Sequence, residues 1–193
     1  MKAVVVFHSV GGNCFLIAKE FHKALNNNNI QTELYRVKDE DLEHWSTVQE
    51  SNKEFYKSIV EIQVATPEIV LDADLLVFGS PTYFANFSAE MHAFHDSLAI
   101  YWPENRLWNK KFACFTSASV GESGGSHCAQ SFINFALNFG MNPIPVPVPV
   151  QFETGVSPSG IIHISGPKSD IRPNNSIKLA VKLYSETLAK LLS

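Results

Sequence analysis

The chain has 193 residues, 45% of them apolar and 18% charged. That balance excludes a disordered chain, and the length removes any need for disulfide staples. Fifteen basic against nineteen acidic residues leave a formal charge of −4, so neither nucleic acid nor an anionic membrane is expected as a partner.

Three widely spaced cysteines, Cys14, Cys114 and Cys128, are odd in number and match no metal-ligand spacing. They suit a reducing compartment. The opening MKAVVVFHSV carries no secretory pattern, and no apolar run approaches the ~18 residues of a membrane span. The expectation is one cytoplasmic domain over residues 1–193.

Residues 2–8 (KAVVVFH) form an apolar, β-branched run that predicts a strand buried on both faces. Phe15, Ile17, Ala18, Phe21, Ala24 and Leu25 then repeat at a helical period over residues 13–25. A second strand follows over 31–37. Residues 38–66 elaborate the next crossover and read as helical around 48–62. Residues 74–80 (DLLVFGS) are a third strand, followed by a helix over 88–100. A fourth strand over 112–117 leads into a helix over 126–139. A fifth strand is expected over 141–150, an irregular segment over 151–172 and a closing helix over 175–192. Such alternation predicts a doubly wound α/β fold with parallel strands.

The fifth strand carries its own topological clue. Pro143, Pro145, Pro147 and Pro149 alternate with apolar residues and delete donors along one side only, which suits a sheet edge. An edge position fits the strand order 2-1-3-4-5; an unpaired Pro-rich loop is the alternative. The segment over 151–172, rich in Gly, Ser and Pro, is long enough to suggest function rather than mere connection.

In open parallel sheets ligands lie beyond the carboxyl ends of the strands. After the first strand, Ser9-Val10-Gly11-Gly12-Asn13-Cys14 runs straight into a helix. Its backbone amides and helix N-terminus suit an anion held by neutral donors; a plain turn with Asn13 as helix cap is the alternative. The loop is neither a nucleotide-triphosphatase nor a dinucleotide fingerprint. After the third strand, residues 80–88 (SPTYFANFS) place two adjacent aromatics where a flat ring could lie. After the fourth, residues 116–126 (TSASVGESGGS) supply hydroxyls and glycines for a polyol or phosphate chain. Together they describe a mononucleotide with an aromatic head, flavin mononucleotide (FMN).

The residues Val6–Asn13, Phe78–Ser88 and the Gly-rich loop ending at Gly125 resemble the WrbA-type NAD(P)H:quinone oxidoreductases of the flavodoxin-like superfamily. The Gly79-Ser80-Pro81-Thr82-Tyr83-Phe84-Ala85-Asn86 stretch is the most specific part. The resemblance implies a flavodoxin-like three-layer fold with a five-stranded parallel sheet and non-covalent FMN. It also implies NAD(P)H as co-substrate, two-electron reduction of a quinone-like molecule and a homo-oligomer, dimer or tetramer. By position, Ser9, Val10, Gly12, Asn13 and Cys14 would hold the phosphate. Pro81, Thr82, Tyr83, Phe84 and Asn86 would line the ring, and Thr116, Ser117, Ser119, Val120 and Gly121 would contact the ribityl chain or ring edge. Trp102 and Phe139 would face the substrate.

Three positions depart from the family pattern. A His pair is replaced by Asn138-Phe139, an Arg by Tyr83 and a phosphate-loop His by Asn13. Backbone amides would carry flavin binding regardless, and no catalytic residue is assigned. A flavodoxin-type electron carrier and a regulatory protein without cofactor are the competing functions. His92 and His95 lie three apart on one helix without a third ligand, so no metal site is expected.

Overall fold

The computed structural model describes residues 1–48 and 50–192. Strands β1 (Lys2–Phe7), β2 (Gln31–Arg36), β3 (Leu75–Pro81), β4 (Lys111–Ala118) and β5 (Asn142–Pro143) form a sheet of order β2-β1-β3-β4-β5 with parallel pairing throughout. The predicted order is the observed one. Helices α1 (Asn13–Asn27) and α7 (Asn175–Leu192) pack against each other on one face of the sheet. Helices α4 (Ala89–Ser97) and α5 (Glu122–Asn138) cover the other face.

The two faces follow from the strand period. Ala3, Val5 and Phe7 join Leu75, Val77, Ala113 and Phe115 in the core under α1 and α7. Val4, Val6, Leu76, Phe78, Phe112 and Cys114 meet Met91, Phe94, Phe132 and Ala136 on the opposite side. Successive side chains point to opposite faces, so a strand covered on both sides must be apolar at every position. Residues Ala3 to Phe7 are all fully buried.

The Pro-rich segment differs from its predicted strand over 141–150. Asn142 and Ile144 donate their N–H groups to Lys110 O and Phe112 O, both at 2.8 Å, so Pro143 and Pro145 fall on the outer side, as edge placement requires. Pairing stops there. Val146 donates instead to Pro158 O (2.9 Å), and α6 (Val148–Thr154) begins with a proline in its first turn. The missing proline N–H costs nothing at a helix start, so the same residues that suit an edge also permit the exit. The vacated half of the edge is filled by β6 (Ile161–Ile164), which pairs Phe115 to Ala118 of β4. That strand lies within the segment expected to be irregular.

Two further elements deviate. Over 38–66 the described residues are helical at α2 (Leu42–Val48) and α3 (Glu50–Val60), so helix begins six residues before the onset expected at 48. Helix α5 starts four residues earlier than its predicted onset at residue 126. Gly125 explains part of this, because a Cβ there would lie 2.6 Å from Ile162, so the glycine admits β6 against the helix. The fourth-strand loop is correspondingly shorter.

The α4–α5 layer encloses His95, 4% exposed, among Phe78, Phe87, Phe132 and Phe135, with the Phe135 ring stacked at 3.8 Å. Neither ring nitrogen has a hydrogen-bond partner among the described residues. Burial, with the His92 charge a smaller contribution, pushes its pKa down to about 3. Below the ordinary histidine pKa the unfolded chain therefore binds a proton that the folded chain refuses, and stability falls with acidification between pH ~6.5 and ~3. Replacing His95→Leu should remove this dependence. Urea denaturation of wild type should show about 2 kcal/mol more loss than the variant between pH 7 and pH 5.

Candidate active site

The site forms where five strand ends converge. A cavity of about 540 Å³ opens at the carboxyl edge of the sheet, lined from β1 by His8 to Gly11, from α1 by Asn13 and Cys14, and from β3 by Pro81 to Tyr83. Ser117 comes from the end of β4 and Ser119 follows it, Ser165 and Ser169 follow β6, and Asp39 follows β2. Ala89 and Glu90 come from the first turn of α4, while Trp45, Val48 and Asn52 come from the α2–α3 elaboration. Cavities of roughly 300–1,000 Å³ are typical of small-ligand sites.

The turn from β1 into α1 is the most constrained part. Gly12, the residue before α1, has φ +90°, a left-handed conformation that glycine adopts without strain. A Cβ there would also lie 2.1 Å from the Phe55 ring. Leu16 N–H is the first in α1 to find a carbonyl, Gly12 O at 2.9 Å. The N–H groups of Asn13, Cys14 and Phe15 meet no acceptor among the described residues. A helix start with unpaired amides concentrates positive potential and suits an anion.

Asn13 is not the cap weighed above; it is the first helical residue. Its Nδ2 donates to Ser169 O (3.0 Å), and its Oδ1 accepts from Arg172 (3.2 Å). Arg172 also donates to Gly11 O (2.6 Å) and to Glu54 (3.0 Å), with its guanidinium 4.8 Å above the Phe55 ring. A cation from the far end of the chain thus braces a turn that contains none of its own.

Beyond β3, Tyr83 and Asn86 exchange backbone hydrogen bonds (2.8 and 3.0 Å) across a two-residue turn. Phe84 and Ala85 at its tip have φ +49° and +66°, a conformation unusual for residues bearing a Cβ. Thr116 Oγ1 donates to Ser80 O and lies 2.7 Å from Thr82 Oγ1, so the Thr82 hydroxyl donates to it. Partial desolvation of the phenol, reinforced by the Glu90 and Asp39 charges, pushes Tyr83 up to about 12, although the residue as a whole is 45% exposed. Tyr83 therefore presents a neutral hydrogen-bond donor near the mouth.

The sequence expectations separate into two groups. Ser9, Val10, Asn13, Cys14, Pro81, Thr82, Tyr83, Ser117 and Ser119 come together around the cavity. Gly12 shapes the turn from behind. Phe84 is fully exposed and Asn86 is exposed beside it, Val120 and Gly121 lie outside the lining, and Thr116 is buried in the sheet. Trp102 and Phe139 share a different groove between α4 and α5 with Phe87, His95 and Phe135. There Trp102 Nε1 donates to Asn138 O (2.9 Å). His92 and His95 do not converge either, since His95 is enclosed by phenyl rings and His92 pairs with Asp96 at 3.4 Å on the surface.

Several cavity residues were not anticipated: His8, Asp39, Trp45, Val48, Asn52, Glu90, Ser165 and Ser169, with Arg172 behind the turn. The rule that ligands gather beyond the carboxyl ends of strands, applied to β2 as well, points to Asp39. Arg172 and the serines after β6 carry no local signal, because the strand that delivers them was hidden in a Gly/Ser/Pro-rich stretch.

The architecture defines an open parallel α/β sheet with its binding site at the carboxyl edge. It is similar to the flavodoxin, WrbA-like protein of Agrobacterium tumefaciens (TM-score 0.64, 17% identity, covering 98% of this chain and 96% of that one). It is also similar to Flavodoxin 2 of Bacillus cereus (TM-score 0.66, 16% identity, 99% of each chain). The sequence profile of the NADPH-dependent FMN reductase family matches residues 1–154, and the chain belongs to that family. A NAD(P)H dehydrogenase (quinone) of Deinococcus radiodurans is 28% identical over 195 residues, covering 100% of this chain and 98% of that protein. One of Syntrophobacter fumaroxidans is 27% identical over 184 residues, covering 91% and 89%.

The turn offers a direct stability test. Gly12→Ala forces a left-handed alanine against the Phe55 ring and should destabilise the fold by about 1–3 kcal/mol. Chemical denaturation at neutral pH measures it. An unchanged midpoint would mean that Phe55 moves aside.

Proposed function

We propose that the chain is an FMN-dependent oxidoreductase that reduces quinones by two electrons at the expense of NAD(P)H. The observation carrying this reading is the row of unpaired amides at the start of α1, opening into a cavity of ligand size. Family membership and the quinone dehydrogenase relatives support it.

The residues present fit FMN. A phosphate dianion suits the amides of Asn13, Cys14 and Phe15 and the Ser9 hydroxyl, with the Arg172 charge behind the turn. Ser117, Ser119 and Ser165 offer hydroxyls to a polyol chain, and Pro81, Thr82 and Tyr83 offer a wall to a flat ring. Bound FMN would supply the hydride-accepting and hydride-donating chemistry, which no side chain of the protein can provide.

The chain's own residues have binding and shielding tasks. Arg172 and Ser169 hold the phosphate turn in shape through Gly11 and Asn13. Trp45 and Val48, half exposed at the opening, narrow the access of water and give a second aromatic surface. Tyr83 keeps its proton throughout the neutral range and can donate a hydrogen bond to a ligand oxygen near the mouth. Thr82 and Thr116 tie the β3 and β4 ends together, fixing the width of the slot.

Among the described residues no helix is long and apolar enough to cross a membrane. A cytoplasmic location is supported by three buried, unpaired cysteines. Assembly into a homo-oligomer is supported by the exposed Ile100, Trp102, Trp108 and Leu137.

The test is spectroscopic. Titrated FMN should bind in one equivalent with a shifted absorption band, bleach under anaerobic NADH or NADPH and recover when a quinone is added. Failure to bind FMN overturns the reading, and FMN binding without NAD(P)H oxidation favours the electron carrier. Arg172→Ala should weaken FMN binding by about tenfold or more through loss of the braced turn and its charge.

A further inference from the structure

Three residues remote in sequence meet in the cavity without a role in the reading above. His8 follows β1, Asp39 follows β2 and Glu90 lies in the first turn of α4. His8 Nε2 is 3.0 Å from Asp39 Oδ2, and both side chains are almost fully buried. His8 Nδ1 is fully buried, has no hydrogen-bond partner among the described residues and faces Glu90 Oε2 at 3.6 Å. One ligand atom from each residue lies within 4.8 Å of the others.

These distances assign different tasks to the two nitrogens. Asp39 is close enough to accept a proton from Nε2, which leaves Nδ1 as the lone-pair nitrogen. A carboxylate that accepts the far N–H of an imidazole is the usual support of a metal-binding histidine. The 3.6 Å gap between Nδ1 and Glu90 is too long for a hydrogen bond. It suits two ligands of one metal ion, because bonds of about 2.1 Å meeting near the tetrahedral angle separate the ligand atoms by about 3.4 Å.

Charge argues the same way. Apart from His8, the titratable groups facing this corner are Asp39, Glu90 and the Tyr83 phenol, with Arg36 acting on Asp39 from β2. Two carboxylates that face one buried imidazole repel each other unless a cation intervenes.

We propose that His8 Nδ1 and the Glu90 carboxylate bind a first-row divalent transition-metal cation, with Asp39 positioning the imidazole from its other nitrogen. An imidazole with a carboxylate selects ions of the zinc and manganese class over magnesium or calcium. The remaining coordination positions face the cavity and are open to water or to an oxygen of a bound ligand. The site depends on its own three residues, so it stands whether or not the flavin reading does.

Zinc titration against a chromophoric chelator tests it, using full-length protein freed of metal with EDTA, near neutral pH, with and without FMN. One equivalent of zinc should bind and not be displaced by magnesium. Its affinity should fall about tenfold or more in Glu90→Gln, in His8→Gln and in Asp39→Asn, and stay unchanged in the surface control His92→Gln. Glu90 is partly exposed, so its variant decides the matter if His8→Gln fails to fold by circular dichroism. No zinc uptake by wild type, as expected if a proton occupies Nδ1, overturns the proposal. So does uptake unaffected by Glu90→Gln. FMN binding read from the same samples separates the outcomes: its loss with zinc retained counts against the proposed function alone, and the reverse against the metal site alone.

Discussion

The site is organised around the first amides of α1, which meet no acceptor among the described residues and begin at the cavity wall formed by Asn13 and Cys14. Amides left without partners at a helix start are costly unless water or a ligand meets them. The protein holds this arrangement with three supports: a left-handed Gly12, the Phe55 ring pressed behind it, and the Arg172–Asn13–Ser169 brace. Each comes from a different part of the chain. The turn is thus a tertiary construction around a local conformational choice.

The same logic explains the two long departures from a minimal sheet-and-helix unit. The α2–α3 elaboration supplies Phe55 behind the turn, and Trp45, Val48 and Asn52 around the cavity. The segment between β5 and α7 supplies β6, and through it Ser165, Ser169 and Arg172. Both insertions lie beside the β1–α1 turn, one behind Gly12 and the other against Asn13. Connections of this length in compact domains tend to carry function, and here they build walls that the strand ends alone would lack.

The edge of the sheet shows how one residue type can permit two structures. Prolines at alternate positions satisfy the edge at Asn142 and Ile144, then start a helix once their donors are no longer required. Tyr184 of α7 hydrogen-bonds Ile144 O at the point of exit. The edge is completed by a second segment with three isoleucines around His163, and Gly125 of α5 makes room for Ile162. Local pattern could not distinguish a continuous strand from one divided by an insertion, because the difference lies in which segment reaches β4.

What the amino-acid order determined unaided was the layer architecture, the strand order and the loops after β1, β3 and β4. Continuous apolar strands, helical periods and alternating prolines are local signals whose physical meaning does not depend on distant residues. Nine of the proposed site residues were legible for that reason, since strand ends in a parallel sheet must converge. Tertiary structure decided the rest. Phe84 turns outward because a tight reversal at Tyr83 and Asn86 leaves it no inward direction, and Trp102 lies in a separate groove between two helices. His8, Asp39, Glu90 and Arg172 meet the cavity only once segments as far as 161 residues apart are folded together.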